Sequence, residues 1–135
     1  MAEHKTLIRV IYADTDAMGV VYHTNYIKWF EVGRSELLRS LGYPYARMEE
    51  EGILLPLAEC SCKYRSPAVY DDMLEITARL AEMKGATLTL EYEIRKQETG
   101  ELLVTGATKH AITDAGFKPI RLRVKNPALN ELLMK

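Results

Sequence analysis

Tyr12, Asp14, Asp16, Gly19, Tyr22, His23 and Asn25 fall in one short segment, between a strand-like run and a helix-like run. A carboxylate can take a proton from water or attack an electrophilic carbon, and an imidazole can polarise or donate to a neighbouring oxygen. The segment is therefore a local active-site candidate. Asp14 and Asp16 are separated by one residue, so an extended backbone would turn both side chains the same way, while Gly19 lets the chain turn unobstructed. Asp16 reads as catalytic, against a loop-stabilising or capping role. Asp14 carries the opposite weighting, as a backbone hydrogen-bonder or a negative neighbour that raises its partner's proton affinity. His23 reads either as a group acting on the reacting atoms or as one that satisfies terminal amides and packs on an aromatic. Tyr12 and Tyr22 are candidates to hydrogen-bond behind the reacting groups, against simple packing beside an apolar helix.

The surrounding periodicities supply the elements that must position these groups. Leu7 to Tyr12 predicts a short strand, and the Asp/Gly-rich stretch after it a loop. Thr24 or Asn25 is placed to cap a helix carrying Trp29, Phe30, Val32, Gly33, Leu37, Leu38 and Leu41 at spacings mostly of three and four, which Gly42 terminates. Met48 to Gly52 reads as the solvated end of a second short helix or as a loop. A strand starts near Leu57 and runs to Tyr64, where Arg65-Ser66-Pro67 interrupts it. Met73 to Met83, Thr87 to Lys96 and Leu102 to Thr113 predict three longer strands, with hairpin turns at Lys84-Gly85 and at Glu98 to Gly100. The middle one alternates Leu88, Leu90, Tyr92 and Ile94 with Thr89, Glu91 and Glu93, as expected of one buried and one wetter face. A short strand is expected from Pro119 to Val124, then a last helix opened by Asn126-Pro127 and docked by Leu129, Leu132 and Leu133. This order predicts a single α+β domain over residues 1–135. One long helix covers one face of a curved antiparallel sheet and leaves the other face for packing or an oligomer interface.

Composition excludes several functions. Acidic and basic residues nearly cancel, at a formal net charge of -1, and no Lys/Arg block forms a positive stripe, so nucleic acid is not the expected partner. No apolar run reaches the length of a membrane span, and His4 and Lys5 are not followed by a signal-like segment, which predicts a cytoplasmic protein without a transmembrane segment. Cys60 and Cys62 share a strand face and read as reduced core or channel-lining thiols, with redox or metal chemistry the lesser alternative. His4, His23 and His110 are too scattered to complete a metal motif with them, and His110 reads as structural. Gly100 and Gly106 fit a turn and local sheet geometry better than a phosphate cradle, so no cofactor is expected.

Asp16, Gly19 and the Val20-Val-Tyr-His-Thr-Asn-Tyr26 stretch carry a resemblance. The chain resembles the acyl-CoA thioesterases of the 4-hydroxybenzoyl-CoA thioesterase type, within the hotdog fold. The likeness extends through Trp29-Phe30-Glu31, Arg34 and the Tyr64 to Asp72 segment, so it covers nearly the whole chain. It implies a long central helix wrapped by an antiparallel sheet, a homodimer that builds active sites at its interface, and a dimer-of-dimers tetramer as the larger assembly. It also implies that Asp16 is the catalytic base or nucleophile and that the His23 region supplies the amide facing the developing oxyanion. Asn25, otherwise a helix cap, is placed beside the reacting site by the same resemblance. Met18 stands where the family pattern often has Gly, which bears on loop shape and on the acyl pocket. Trp29 and Phe30 read as core, with acyl contact as the minority case. Glu31 and Arg34 can pair on one helix face, although Glu31 is the internal rival to Asp16 because another branch uses a helix carboxylate.

Thioester hydrolysis needs a base or nucleophile and a stabiliser for negative charge on the carbonyl oxygen, and a carboxylate with free amides at a helix start supplies both. The expected substrate is an acyl-CoA, with acyl carrier protein as a further partner. Lys63 and Arg65, beside Ser66, are candidates for the phosphates of coenzyme A, against ordinary surface charge. A hydratase or dehydratase acting on an acyl thioester, and a non-enzymatic acyl-thioester binding module, are the alternatives.

Overall fold

The residues spaced by three and four become the buried face of helix α1 (Thr24–Ser40), where Tyr26, Trp29, Phe30, Gly33, Leu37 and Leu38 all turn inward. The computed structural model describes all of residues 1–135. Gly42 ends the helix as its position predicts. At a φ of 77° it donates its amide to the Arg39 carbonyl, and the next amide, of Tyr43, reaches back 3.0 Å to the Leu38 carbonyl. The helix start departs from expectation, because neither Thr24 nor Asn25 caps it. His23 holds that position without a side-chain bond, and the Asn25 side chain donates instead to the Asp14 carbonyl at 2.8 Å.

Five strands form one antiparallel sheet in the order β1-β3-β4-β5-β2, with β1 at Glu3–Arg9, β2 at Leu57–Tyr64, β3 at Met73–Lys84, β4 at Thr87–Lys96 and β5 at Leu102–Ala111. Leu88, Leu90, Tyr92 and Ile94 of β4 are buried and their alternating neighbours are not, as the sequence pattern predicts. α1 packs on this inner face, chiefly over β3 and β1. The result is the hotdog arrangement. Short helices α2 (Tyr45–Glu50), α3 (Leu122–Lys125) and α4 (Pro127–Met134) complete the chain. α4 begins as expected, with the Asn126 side chain accepting the Leu129 amide at 3.0 Å, and docks through Leu129 and Leu133. No helix is long and apolar enough to cross a membrane.

Two strands end sooner than the sequence predicts. β1 starts at Glu3 and leaves the sheet after Arg9, because the Asp14 carboxylate takes the Ile11 amide and winds Tyr12–Asp14 into a single 3-10 turn. The strand expected from Pro119 to Val124 is reduced to a bridge between Thr113 and Pro119 and one bond from the Ile120 amide to the Ile112 carbonyl. Asp114 turns the chain there by accepting the Gly116 and Lys118 amides, and Leu122 onward is helical.

Two glycines set how closely α1 approaches the sheet. A Cβ on Gly33 would lie 2.9 Å from the Ile76 side chain, and one on Gly106 would enter the Phe30 ring and sit 2.7 Å from the Ser61 carbonyl. Phe30 therefore lies over the bare backbone of β5 and stacks on Tyr92 at 4.5 Å.

Beneath that stack runs a buried polar chain whose hydrogen-bond directions are fixed at both ends. Arg34 can only donate, and does so to the Tyr92 hydroxyl at 3.3 Å; the Leu55 carbonyl can only accept, from His110 Nδ1 at 3.1 Å. With His110 neutral its Nε2 accepts, so the Thr108 hydroxyl donates to it at 2.9 Å and the Tyr92 hydroxyl donates to Thr108 at 2.6 Å. The neutral imidazole is the form of His110 that its surroundings favour. Burial pushes its pKa below the ordinary value and the Arg34 charge acts the same way, against the opposing pull of its bond to Leu55.

Two measurable consequences follow from this packing. Gly106→Ala should lower stability in urea unfolding by about 1–3 kcal/mol, the usual cost of overpacking, and an unchanged midpoint would contradict the close approach. Folding discriminates against protonated His110, so the stabilisation is complete above the unfolded histidine pKa of about 6.5 and is lost as pH falls below it. Unfolding free energy should fall from pH 7.5 to 5, this group contributing a slope of at most ~1.4 kcal/mol per pH unit, and His110→Gln should flatten that part of the curve.

Candidate active site

The segment from Thr15 to Val21 closes on itself as a miniature hairpin. Thr15 bridges Val21, the Asp16 amide donates to the Val20 carbonyl at 2.9 Å, and Gly19, at a φ of 82°, makes the turn. One Asp16 oxygen, Oδ1, accepts the Met18 amide at 2.8 Å, and the other has no partner within the chain. Met18 keeps a negative φ and its side chain is exposed, so the turn accommodates a side chain at this position.

A second loop holds this hairpin against the helix. The Val21 amide donates to the Ala68 carbonyl, the Ala68 amide donates to the Tyr26 hydroxyl at 3.2 Å, the Val10 amide donates to the Asp72 carbonyl, and the Asp71 amide donates to the Val10 carbonyl. Between the loops and the start of α1 lies a cavity of about 300 Å³ lined by Asp16, His23, Tyr26, Tyr64, Arg65 and Ser66, among others. The amides of His23 and Thr24 donate to no backbone carbonyl, as the first amides of a helix must unless something caps them. Asp16 and His23, the residue at the positive end of α1, therefore line one hollow.

The structure separates the sequence candidates. Asp16, His23, Arg65 and Ser66 meet in the cavity. Asp14 does not: the turn at Tyr12–Asp14 breaks the extended path that would have aligned it with Asp16, and its carboxylate is occupied by the Ile11 amide. Tyr12 lies outside the lining, exposed and stacked on Tyr70 at 3.8 Å, while its carbonyl accepts the Thr15 hydroxyl. Asn25 also lies outside and ties the Asp14 carbonyl to the helix start. Lys63 alternates with Cys62 and Tyr64 along β2, so it points to the opposite sheet face from Tyr64. Glu31 sits two helical turns further along α1 and makes a loose 4.0 Å pair with Arg34. Cys60 and Cys62 are free thiols.

Sequence reasoning missed Tyr64 and Tyr26. The Tyr64 hydroxyl donates to the His23 carbonyl at 3.0 Å and so fixes the residue that opens the helix. Burial pushes this phenol up to about 12, with Cys62 and Tyr26 adding to the shift, so it remains a neutral donor across the working pH range. Its adjacency to Arg65-Ser66-Pro67 was the available signal, yet only the pairing of β2 with β5 brings it onto His23.

A cavity of this make-up, at the mouth of a helix embraced by a sheet, now has a family. The sequence profile of the Thioesterase-like superfamily matches residues 10–129. The chain belongs to that superfamily. A putative acyl-CoA thioesterase of Bacillus subtilis, YneP, is 36% identical over 124 residues, which cover 91% of this chain and 89% of the relative. The acyl-CoA thioesterase YbgC of Haemophilus influenzae is 36% identical over 116 residues, covering 84% and 83%. Among solved structures of this superfamily fold, the DHNA-CoA thioesterase of Staphylococcus aureus superposes with a TM-score of 0.89 at 35% identity, covering 98% of this chain and 89% of that one.

Tyr64→Phe tests the anchoring of His23. Loss of a single neutral hydrogen bond removes about 0.5–1.5 kcal/mol. The expected result is a Tm only slightly lowered and a turnover reduced several-fold. Turnover equal to the unaltered protein would show that His23 is held by other contacts.

Proposed function

We propose that the chain hydrolyses acyl-CoA thioesters to the free acid and coenzyme A, with Asp16 as the base or nucleophile. That it is a thioester hydrolase rests on its superfamily and on relatives that bear that activity in their names. One observation supports the residue assignment more than any other: Asp16, which has one carboxylate oxygen without a partner in the chain, and His23, at the uncapped start of α1, line the same hollow. A thioester carbonyl placed there meets amide donors on its oxygen and a carboxylate toward its carbon. As the tetrahedral oxyanion forms, the helix N-terminus stabilises it more than it stabilised the neutral carbonyl, and that difference is what lowers the barrier. His23 adds a polar edge, oriented through its carbonyl by Tyr64. Asn25 keeps the loop docked on the helix, and Tyr12 braces it through the Tyr70 stack.

Arg65 and Ser66 at the rim are proposed to take phosphates of coenzyme A, with Lys63 adding charge from the far face. β2 supports a shared site. It is an edge strand, nearly all its residues are exposed, and Leu57 and Tyr64 present apolar surface beside its unpaired hydrogen-bonding groups. A second copy pairing there would cover the seam between α1 and β2, giving a homodimer, with a dimer-of-dimers tetramer as the larger assembly.

Asp16→Asn should keep the fold and the binding of a non-hydrolysable acyl-CoA analogue while lowering single-turnover hydrolysis by roughly a hundredfold or more. Near-normal chemistry in that variant, with severe loss in Glu31→Gln, would transfer the role to the helix carboxylate. Hydrolysis of no member of an aromatic and aliphatic acyl-CoA panel by the unaltered protein would favour an acyl-binding role instead.

A further inference from the structure

Arg34 is a charged residue to which the reaction assigns no task. Only 20% of its side chain is exposed, yet it makes a single hydrogen bond, from Nη1 to Tyr92, and its Nη2 stays 4.0 Å from the exposed Glu31 carboxylate. A guanidinium carries five N–H donors in a rigid fork, so most of these donors lack an acceptor in the chain. Arg34 borders a second hollow of about 310 Å³, lined also by Glu31, Ser35, Tyr45, Leu57 and His110.

This hollow lies further along the same helix and strand that line the first, with no lining residue in common. α1 gives His23 and Tyr26 to the first cavity and Glu31, Arg34 and Ser35 to the second, while β2 gives Tyr64 to the first and Leu57 to the second. Cys62 lies on the stretch of β2 between them, on the face it shares with Tyr64. At a helix rise of about 1.5 Å per residue, Glu31 stands roughly 12 Å beyond His23. An acyl group whose carbonyl sits at His23 and whose far end follows the seam reaches the Arg34 fork.

We propose that Arg34 is a specificity-determining residue that donates to an acceptor oxygen at the far end of the acyl group, held in place by the Tyr92, Thr108 and His110 chain. The inference rests on the reading that the Asp16 site handles acyl thioesters. The chain of hydrogen bonds explains why the fork stays open to a ligand. With His110 neutral, Tyr92 gives its hydrogen to Thr108, and its oxygen accepts from one arm of Arg34 and leaves the others toward the hollow. Tyr92, Thr108 and His110 are positioning residues. The oxygen can belong to a hydroxyl or to a carboxylate, and Glu31 distinguishes them: a hydroxyl can donate onward to it, whereas a carboxylate must drive it into water.

The test compares acyl-CoAs of matched length, long enough to cross the seam, that end in a methyl, a hydroxyl or a carboxylate. Values of kcat/KM are measured for the unaltered protein, Arg34→Met, Arg34→Lys and Tyr92→Phe, and binding of the matching thioether analogues is measured by calorimetry. The unaltered protein should favour an oxygen-ended substrate over the methyl-ended one by roughly tenfold, the scale of one hydrogen bond to a charged group. Arg34→Met should bring that ratio near one, Arg34→Lys should restore part of it, and Tyr92→Phe should reduce it through KM while keeping the stack on Phe30. A merely structural arginine would lower all three substrates together and preserve the ratio. If Arg34→Met does not fold, the ratio in Tyr92→Phe decides. Hydrolysis with no preference for oxygen-ended acyl groups overturns this inference and leaves the hydrolase reading intact. Oxygen-selective binding of the thioethers by a protein that hydrolyses nothing supports the inference and sinks the hydrolase reading.

Discussion

The position of α1 against the sheet is the constraint on which the site depends. Gly33 and Gly106 remove the two side chains that would hold helix and sheet apart, and Phe30 fills the space by lying across β5 and stacking on Tyr92. Close packing of this kind leaves little slack, since a dense interior transmits displacement rather than absorbing it. With α1 seated, the helix start at His23 and the Arg34 side chain occupy fixed places along one seam. Charge stabilisation at a helix end falls away within a turn, so the depth at which the helix sits decides whether its amides can act on a bound carbonyl.

The loops answer to the same placement. The hairpin at Asp16 to Val20 has no core of its own and is held by borrowed bonds: Val21 to Ala68, Ala68 to the Tyr26 hydroxyl, Asn25 and Tyr22 to the Asp14 carbonyl. Each of these ties runs directly or through one intermediary to the start of α1. The carboxylate and the amides are consequently tied together by hydrogen bonds, as the preorganisation of the proposed electrostatic catalysis requires. The acid sensitivity of His110 belongs to the opposite side of the same packing, where burial has been made tolerable by a completed chain of hydrogen bonds.

Much of this was legible in the residues. The long helix, its Gly42 terminator, the three hairpin strands and the Asn126-Pro127 start of α4 follow local rules that need no partner, and they appear where those rules place them. The resemblance around Asp16 to Tyr26 gave the hotdog architecture that the strand order displays. What the residues concealed were competitions between local signals and distant acceptors. Asn25 had the chemistry of a cap, but the Asp14 carbonyl captured its side chain; Asp14 had the spacing of a catalytic partner, but the Ile11 amide captured its carboxylate. Pro119 to Val124 carried strand-like residues, yet the Asp114 turn allowed only one bridge before the chain coiled. Tyr64 and Arg34 hydrogen-bond to residues 41 and 58 positions away, a separation at which no local pattern speaks.

The central claim is that the uncapped start of α1 polarises the thioester carbonyl beside Asp16. The most direct measurement is the isotope-edited infrared spectrum of a carbon-13 carbonyl acyl-CoA bound to the Asp16→Asn protein, compared with the same molecule in water. The expected result is a carbonyl stretch shifted to lower frequency, as backbone donors draw charge onto the oxygen before any bond breaks. A carbonyl stretch at or above its frequency in water, in a demonstrably bound thioester, would contradict it.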